Sequence, residues 1–435
     1  MAVDNTGMRA GQIIALLVLT LFVFGVVMVA SAKLTPLPRA AATIRVDQET
    51  QTSAYIQEES EGSAAALAGR RVFDTVLGKD GRLALLALAA LLVGAFVPVE
   101  RLASLGGLLS PAPWLLATIV GLLLMTLVIG EQAHGATRWL RIGPIRFQPS
   151  EIAKWGLPAI VAWHCIRHAD GMHRFFTGFV PPVVLSAIVC ALIAKEDLGT
   201  AALVMTVSMF MVLAAGARWW HVASVVPIGA LAFVGFVFAS PYRISRITAF
   251  LEPFKDAQDT GYQVIQSMGA IAGGGFGGRG LGHSLQKFDY LPFDHTDFIF
   301  AIICEELGFF GATMVVAILL GILVCGWAIV TGRSTPIPAE DRGRAVPPFS
   351  SLFGFGIVLT FGLQALINIA VVTGMAPTKG IALPLVSQGG TGWVLTAFSL
   401  GLLISIDRCA WGQFGRSNPD AIGDRFVPSA MLERA

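Results

Sequence analysis

The chain reads as an all-α polytopic integral membrane protein of about ten transmembrane helices, with a large extracytoplasmic loop between helices 7 and 8. Three observations predict this. Hydrophobic residues make up 55% of its 435 residues. Charged residues make up only 13%, with mean hydropathy +0.71, against about a quarter charged in a soluble domain. Apolar stretches near membrane-crossing length recur from one end to the other.

Those stretches fall at 12–32, 82–99, 112–130, 151–166, 177–194, 199–216, 219–239, 297–330, 350–374 and 391–407. The first, with Arg9 before it and Ala30-Ser31-Ala32 after it, imitates a cleaved signal peptide. Its apolar run exceeds the usual signal core and is taken as the first membrane helix. The stretch 151–166 is short, and Glu151 and Lys154 in its first turn extend it toward the headgroups. An even number of spans puts both termini on one side, taken as cytoplasmic. The short connectors on that side carry Arg101, Arg167, Arg174, Arg218 and Arg333, as the positive-inside rule asks, although the opposite loops are basic too. The expected plan is a cytoplasmic tail 1–11, a transmembrane domain 12–407 with extracytoplasmic loops 33–81 and 240–296, and a cytoplasmic tail 408–435.

A net charge of +2 without a basic tract gives no argument for nucleic acid. The five cysteines show no paired spacing and read as small hydrophobes. No His, Asp and Glu cluster has recognised metal-ligand spacing.

Three polar segments interrupt the apolar pattern, at 33–81, 131–150 and 241–296. The first is rich in Gln, Glu, Ser and Thr and reads as a loop of little fixed structure. The others are dense in Gly, Arg, Gln and aromatic residues, and chemistry is expected there. The third ends in Tyr290-Leu-Pro-Phe-Asp-His-Thr-Asp-Phe-Ile-Phe-Ala301, which delivers Asp297 into the mouth of an apolar stretch. A carboxylate at a membrane boundary is costly without a partner or a task, and a helix N-cap at Thr296 or Asp297 is the plain alternative. Glu305 and Glu306 follow on the same stretch. Neighbours on a helix lie about 100° apart, so at most one is expected to face a cavity and the other to bond another helix. Glu151 and Lys154, three residues apart, can pair with each other, which does not exclude a role in a site. The run Gly273-Gly-Gly-Phe-Gly-Gly278 matches G-x-G-x-x-G, but no strand precedes it. It reads either as a loop whose amides approach a phosphate or sugar, or as a structural turn.

Glu131-Gln-Ala-His-Gly-Ala-Thr-Arg-Trp139 and Phe147-Gln-Pro-Ser-Glu-Ile-Ala-Lys154 resemble paired signatures of the SEDS (shape, elongation, division, sporulation) family typified by RodA and FtsW. Asp197-Leu-Gly-Thr200, Arg243 with Arg246, Gly261-Tyr-Gln263, Gln266-Ser267, Leu281-Gly-His-Ser284, His295-Thr-Asp-Phe298, Glu305-Glu-Leu-Gly308, Asn368 and Leu383-Pro-Leu-Val-Ser-Gln-Gly-Gly390 follow in the family's order. The tracts Tyr290-Leu-Pro and Gly261-Tyr-Gln lean toward the FtsW-like branch.

The resemblance implies a peptidoglycan glycosyltransferase of the bacterial cytoplasmic membrane that polymerises lipid II, with its site on the extracytoplasmic side. It also implies a class B penicillin-binding transpeptidase and other divisome or elongasome membrane proteins as partners. Asp297 matches the family's acid and is assigned as general base, with desolvation expected to raise its pKa. Arg138, Lys154, Arg243 and Arg246 are assigned to the diphosphate leaving group, with ordinary interfacial snorkelling as the alternative. Gln148, Ser150, Glu151, Gln263, Ser267, Lys287, His295, Thr296, Glu306, Ser387, Gly389 and Gly390 complete the expected substrate-binding set. No cofactor is required, and a divalent cation at the diphosphate stays open.

The chain departs from the family at Leu291-Pro-Phe-Asp294, where L-P-E is usual, at Lys195-Glu196, at Ser387-Gln-Gly-Gly-Thr-Gly392 and at His134. These changes touch substrate detail and partner choice and leave the base in place. Two other classes compete: a lipid II flippase, although no inverted halves are visible, and a non-catalytic division scaffold that recruits a transpeptidase.

Overall fold

The computed structural model describes residues 8–33, 78–105, 109–133, 136–143, 145–286, 296–334, 348–388 and 390–417. In chain order its helices are α1 Ala10–Lys33, α2 Lys79–Phe96, α3 Val99–Ser104, α4 Pro111–Ile129, α5 Pro149–Arg167, α6 Val180–Ala194 and α7 Leu198–Ala214. They continue as α8 Trp219–Phe238, α9 Pro241–Leu251, α10 Tyr262–Gly274, α11 Ile299–Val330, α12 Pro348–Val372 and α13 Thr391–Ser417. A π-helical turn, Phe175–Phe179, leads into α6.

Every expected apolar stretch is helical. Seven helices among the described residues are long and apolar enough to cross a membrane. α2, α5 and α7 occupy the other three positions. α2 and α5 carry three charged residues each, and α7 has 17 residues. The Gly11 N–H donates to Asp407 Oδ2 at 3.2 Å, so the start of α1 and the end of α13 lie at the same end of the bundle, as an even number of spans requires.

The helices pack by close backbone approach as much as by side-chain volume. A Cβ on Gly94 would lie 2.4 Å from the Phe398 carbonyl oxygen, and one on Gly401 would lie 2.3 Å from that of Leu91. Small residues at facing positions thus bring α2 and α13 together. α1 lies against α11 and α13, α12 against α5, α7 and α11, α4 against α5, and α6 against α7. The interior between them holds Trp393, Phe361, Leu157 and Met211. α8 is peripheral, with Trp219, Ile228, Leu231 and Phe238 exposed.

The structure corrects three sequence expectations. The membrane helices begin at Ala10 rather than at residue 12, and the last runs to Ser417, beyond the boundary placed at 407. The segment 131–147 is a small antiparallel sheet of β1 Glu131–Ala133, β2 Ala136–Ile142 and β3 Ile145–Phe147, in order β1-β2-β3. The loop 240–296 contains α9, α10 and the 3₁₀ turn Pro253–Asp256. The expectation of a loosely structured 33–81 loop falls mostly outside the described residues, as do the ends of both tails.

Candidate functional site

The site forms at the end of the bundle where β2, the first turn of α5, the α6–α7 turn, α9 and the start of α11 meet the connector between α12 and α13. Alternation along β2 places Arg138 on the same strand face as the buried Leu140. Pro149 opens α5 at a position where no helical N–H is needed. That start presents Ser150, Glu151 and Lys154 on one turn. Asp197 caps α7, accepting from the Thr200 N–H at 3.0 Å and from its hydroxyl at 2.9 Å.

A chain of hydrogen bonds through α12 ties these pieces together. Lys154 is 3% exposed; its Nζ donates to both Glu151 oxygens at 2.7 Å and to Gln364 Oε1 at 2.8 Å. Gln364 Nε2 donates to the Ala382 carbonyl at 2.8 Å. One turn further along α12, Asn368 Nδ2 donates to the Ile381 carbonyl at 2.7 Å and to the Asp297 carbonyl at 2.8 Å. One buried polar face of α12 therefore fixes the Glu151–Lys154 pair, the connector and the backbone of Asp297 relative to one another. Glu151 and Lys154 form the pair their spacing allows, and Lys154, buried and engaged by Glu151 and Gln364, is not offered to a diphosphate as the sequence assignment had it.

Asp297 is half-buried and lies in the turn before α11, whose N-cap position is Phe298 with no side-chain cap bond. The N-cap reading of Asp297 is thereby set aside. Its carboxylate borders Gly380: a Cβ there would lie 3.1 Å from Asp297 Oδ2 and 3.9 Å from Arg138 Nη1. Carboxylate and guanidinium thus flank the same point of backbone, where a Cβ would press on the carboxylate and touch the guanidinium.

The cations gather beside that point. Arg138 Nε donates to the Glu196 carbonyl at 2.8 Å. Arg243 donates to the carbonyls of Phe236, Ala194 and Lys195 at 2.7, 3.2 and 3.1 Å. Both arginines therefore meet the negative, carbonyl end of α6 and the turn that follows it. Arg246 donates to Gln263 Oε1 at 2.7 Å, Thr378 Oγ1 at 2.8 Å and the Tyr242 hydroxyl at 2.8 Å. Lys379 lies among them, its stem next to Asp197 across Gly199. Burial holds its pKa below the ordinary lysine range; Asp197 opposes that shift, and Arg243, Arg138 and Arg246 add to it.

Other expected residues serve the frame. Gln148 donates to the Ser150 hydroxyl at 2.9 Å. The Ser267 hydroxyl donates to the Val372 carbonyl at 2.7 Å and ties α10 to the end of α12. Ser387 accepts from the Leu383 N–H at 2.7 Å within the connector, and Gly390 has φ +48°. Thr296 sits in the turn with Asp297. Lys287, His295 and Gly389 lie outside the described residues.

Glu305 and Glu306 are a correction. What is corrected is the place of Glu306 in the substrate-binding set: both acids are buried and both hold the glycine-rich segment, while the bond from Ser31 of α1 to Glu306 is the interhelical contact expected of one of the pair. Glu305 accepts from the Ser284 hydroxyl and from the N–H of Leu285 at 3.0 Å and of Gln286 at 3.4 Å, and pairs with Arg279 at 3.6 Å. Glu306 accepts from the Ser31 hydroxyl at 2.6 Å and from the Ser284 N–H at 3.4 Å. The amides of Arg279 and Gly280 donate to the carbonyls of Glu305 and Glu306 at 2.9 Å; α11 bends nearby at Gly308, with φ +65°. These glycines let two backbones touch, since a Cβ on Gly274 would lie 1.8 Å from the Cys304 carbonyl oxygen. Within the run the Gly278 N–H donates to the Gly274 carbonyl at 2.8 Å, and just beyond it the amides of Arg279, Gly280 and Leu285 are used within the protein.

Lys379, Thr378, Gly380 and Gln364 were not singled out by the sequence reading. Pro377-Thr-Lys-Gly380 is a polar break between two apolar stretches and contains the connector's one lysine, which was the available signal. Among the described residues, no group of three or more His, Cys, Asp or Glu is placed to hold a metal ion.

The fold and site define a multi-pass α-helical membrane protein with a cation-rich polar site at one end of its bundle, bordered by Asp297 and Asp197. The chain matches the cell cycle protein family of FtsW, RodA and SpoVE over residues 62–410 and belongs to that family. It is 40% identical over 288 residues to an Idiomarina loihiensis protein named "Probable peptidoglycan glycosyltransferase FtsW", covering 66% of this chain and 68% of that one. An Escherichia coli protein of the same name is 38% identical over 297 residues, covering 68% and 69%. Among solved structures it resembles a chain from a study of how a peptidoglycan synthase complex coordinates polymerisation and crosslinking, with TM-score 0.65 and 26% identity over 92% of this chain and 97% of that one. It shares the fold of the Thermus thermophilus rod shape determining protein RodA, with TM-score 0.56 and 22% identity over 92% of this chain and 96% of that one.

Proposed function

We propose that this protein is a peptidoglycan glycosyltransferase that polymerises lipid II at the extracytoplasmic face of the bacterial cytoplasmic membrane, with Asp297 as general base. The observation that carries this reading is the meeting of the Asp297 carboxylate and the Arg138 guanidinium over Gly380, beside Lys379, Arg243 and Arg246. The family membership and the names of the relatives support it.

Joining two lipid-linked disaccharides removes a proton from an acceptor hydroxyl as its oxygen attacks an anomeric carbon. A polyprenyl diphosphate then departs. The first event needs one base, and a carboxylate held at the edge of the bundle supplies it. Displacement by an acceptor sugar needs one base and a stabilised leaving group, unlike the paired carboxylates of most glycosidases. The departing diphosphate carries the developing charge, and Arg138, Lys379, Arg243 and Arg246 are the groups to meet it. The arginines are anchored to backbone carbonyls or to neutral side chains, so their charge is held in place before substrate arrives. Lys154 is neutralised by Glu151 and acts here as a positioning residue for the connector. A divalent cation joining the reaction would be held by the diphosphate oxygens, because the nearby acids Glu151 and Asp197 are already engaged.

A class B penicillin-binding transpeptidase fits as working partner, in keeping with the synthase complex whose chain this one resembles. The direct test supplies fluorescent lipid II to the purified protein with its transpeptidase in detergent and separates the products by size. Glycan ladders are expected. In sealed vesicles, movement of lipid II across the bilayer without polymer would replace this reading with transport. Partner binding with neither activity would replace it with scaffolding.

A further inference from the structure

Along α5, from its first turn toward its Arg167 end, the bundle contains an apolar cavity of about 270 Å³. It runs along α5 from Ile152 to Trp163 and is closed by Leu115, Phe353 and Phe398 from α4, α12 and α13. Ser399 is the one hydroxyl in a wall otherwise made of aliphatic and aromatic side chains and glycine. The eleven-residue step from Ile152 to Trp163 is about 16 Å of helix rise, close to half of a ~30 Å hydrocarbon core. Its length therefore matches one leaflet.

The loop end of the cavity is cationic. Arg167 stacks on Trp163, its Cζ 4.6 Å from the ring centre, and donates to the Leu105 carbonyl at 3.2 Å. A guanidinium carries five N–H donors, so bonding remains to be offered. Arg101 is exposed and directly precedes Leu102, an exposed residue of the cavity wall. The neighbouring acid, Glu100, is already used, accepting from the Ser350 N–H at 2.9 Å.

We propose that this cavity is a binding site for an anionic phospholipid of the leaflet opposite the proposed glycosyl-transfer site, one acyl chain lying along α5 and the headgroup phosphate meeting Arg101 and Arg167. An apolar tube of leaflet length with basic residues at its outer end matches both parts of such a molecule, and basic pockets between membrane helices recognise anionic headgroups in this way. A zwitterionic lipid of the same chains would fill the tube but gain less from the arginines.

Native mass spectrometry of the full chain in detergent, with added phosphatidylglycerol or phosphatidylcholine of identical chains, tests this. Wild type should retain phosphatidylglycerol at least tenfold better, from about fivefold for each arginine near the surface. Ala159→Phe, which fills the tube, should lose retention of both lipids. The double variant Arg101→Gln with Arg167→Gln should keep phosphatidylcholine retention and lose the preference. Equal retention of both lipids by wild type, or unchanged phosphatidylglycerol retention in Ala159→Phe, overturns the proposal. Should Ala159→Phe lose its thermal transition, the double variant on exposed side chains carries the test, and an unchanged preference there overturns the proposal.

Discussion

Two groups of acids lie within one helical stretch and behave in opposite ways. Glu305 and Glu306 are ringed by serine hydroxyls, backbone amides and Arg279, and their work is to hold the glycine-rich segment against α11. Asp297, two turns earlier, borders a guanidinium and a bare glycine at the end of the bundle. The comparison teaches that burial alone does not mark a reacting acid in a membrane protein. What separates the two is the company: local donors of the fold around the glutamates, and cations from three separate elements beside the aspartate.

The comparison breaks first if the glutamate side is not structural. Gly274→Val forces a side chain onto the Cys304 carbonyl, where even a Cβ would lie 1.8 Å away. This variant should lose its cooperative thermal transition or express as aggregate, beyond the usual ~1–3 kcal/mol of overpacking. Glu305→Ala leaves the buried Ser284 hydroxyl and the part-buried N–H groups of Leu285 and Gln286 without this acceptor. It should destabilise by about 1–3 kcal/mol, read as a lower melting temperature in detergent, with activity per folded molecule largely retained.

The cation side is sharpened by Lys379. Lys379→Gln should slow polymerisation about 10- to 100-fold, the worth of one charge-assisted hydrogen bond in the transition state, with the melting temperature little changed. Because burial holds Lys379 below the ordinary lysine range, its charge should be lost as pH rises through that lowered value. Activity should fall on the alkaline side, and Lys379→Arg should move the fall to higher pH. The same shift has a stability sign. The unfolded chain binds this proton more tightly than the folded one, so stability should rise with pH across the interval between the two pKa values. Lys379→Gln should flatten that rise. The smallest effect is expected at Arg141, exposed and 3.8 Å from Glu131, where Arg141→Gln should change stability by less than ~0.5 kcal/mol and activity not at all.

Much of this was legible in the sequence because membrane helices announce themselves by length and composition, and because Asp297 stands where an acid is costly. The sheet at 131–147 was missed because Thr137-Arg-Trp-Leu-Arg-Ile142 does not alternate strictly, with Trp139 and Leu140 adjacent, and its strands are short. Lys379 was missed because one lysine in a short connector carries no pattern of its own; its importance comes from Arg138, Arg243 and Arg246, which are 133 to 241 positions away in the chain. The partners of the acids at 305 and 306 were legible only in part, for a related reason. Helical angle separates their directions, but the bend at Gly308 and the returning glycine segment place donors around both. That return is a tertiary event, invisible to local spacing.

The central claim is that Asp297 takes the acceptor's proton, and Asp297→Asn tests it most directly because it keeps the side chain's size and removes the base. Initial rates of lipid II polymerisation would be compared for wild type and variant at equal amounts of folded complex with the transpeptidase. The account predicts a loss of about 10²- to 10⁴-fold, with lipid II still bound and the melting temperature held. Polymerisation at the wild-type rate by the asparagine variant would contradict it.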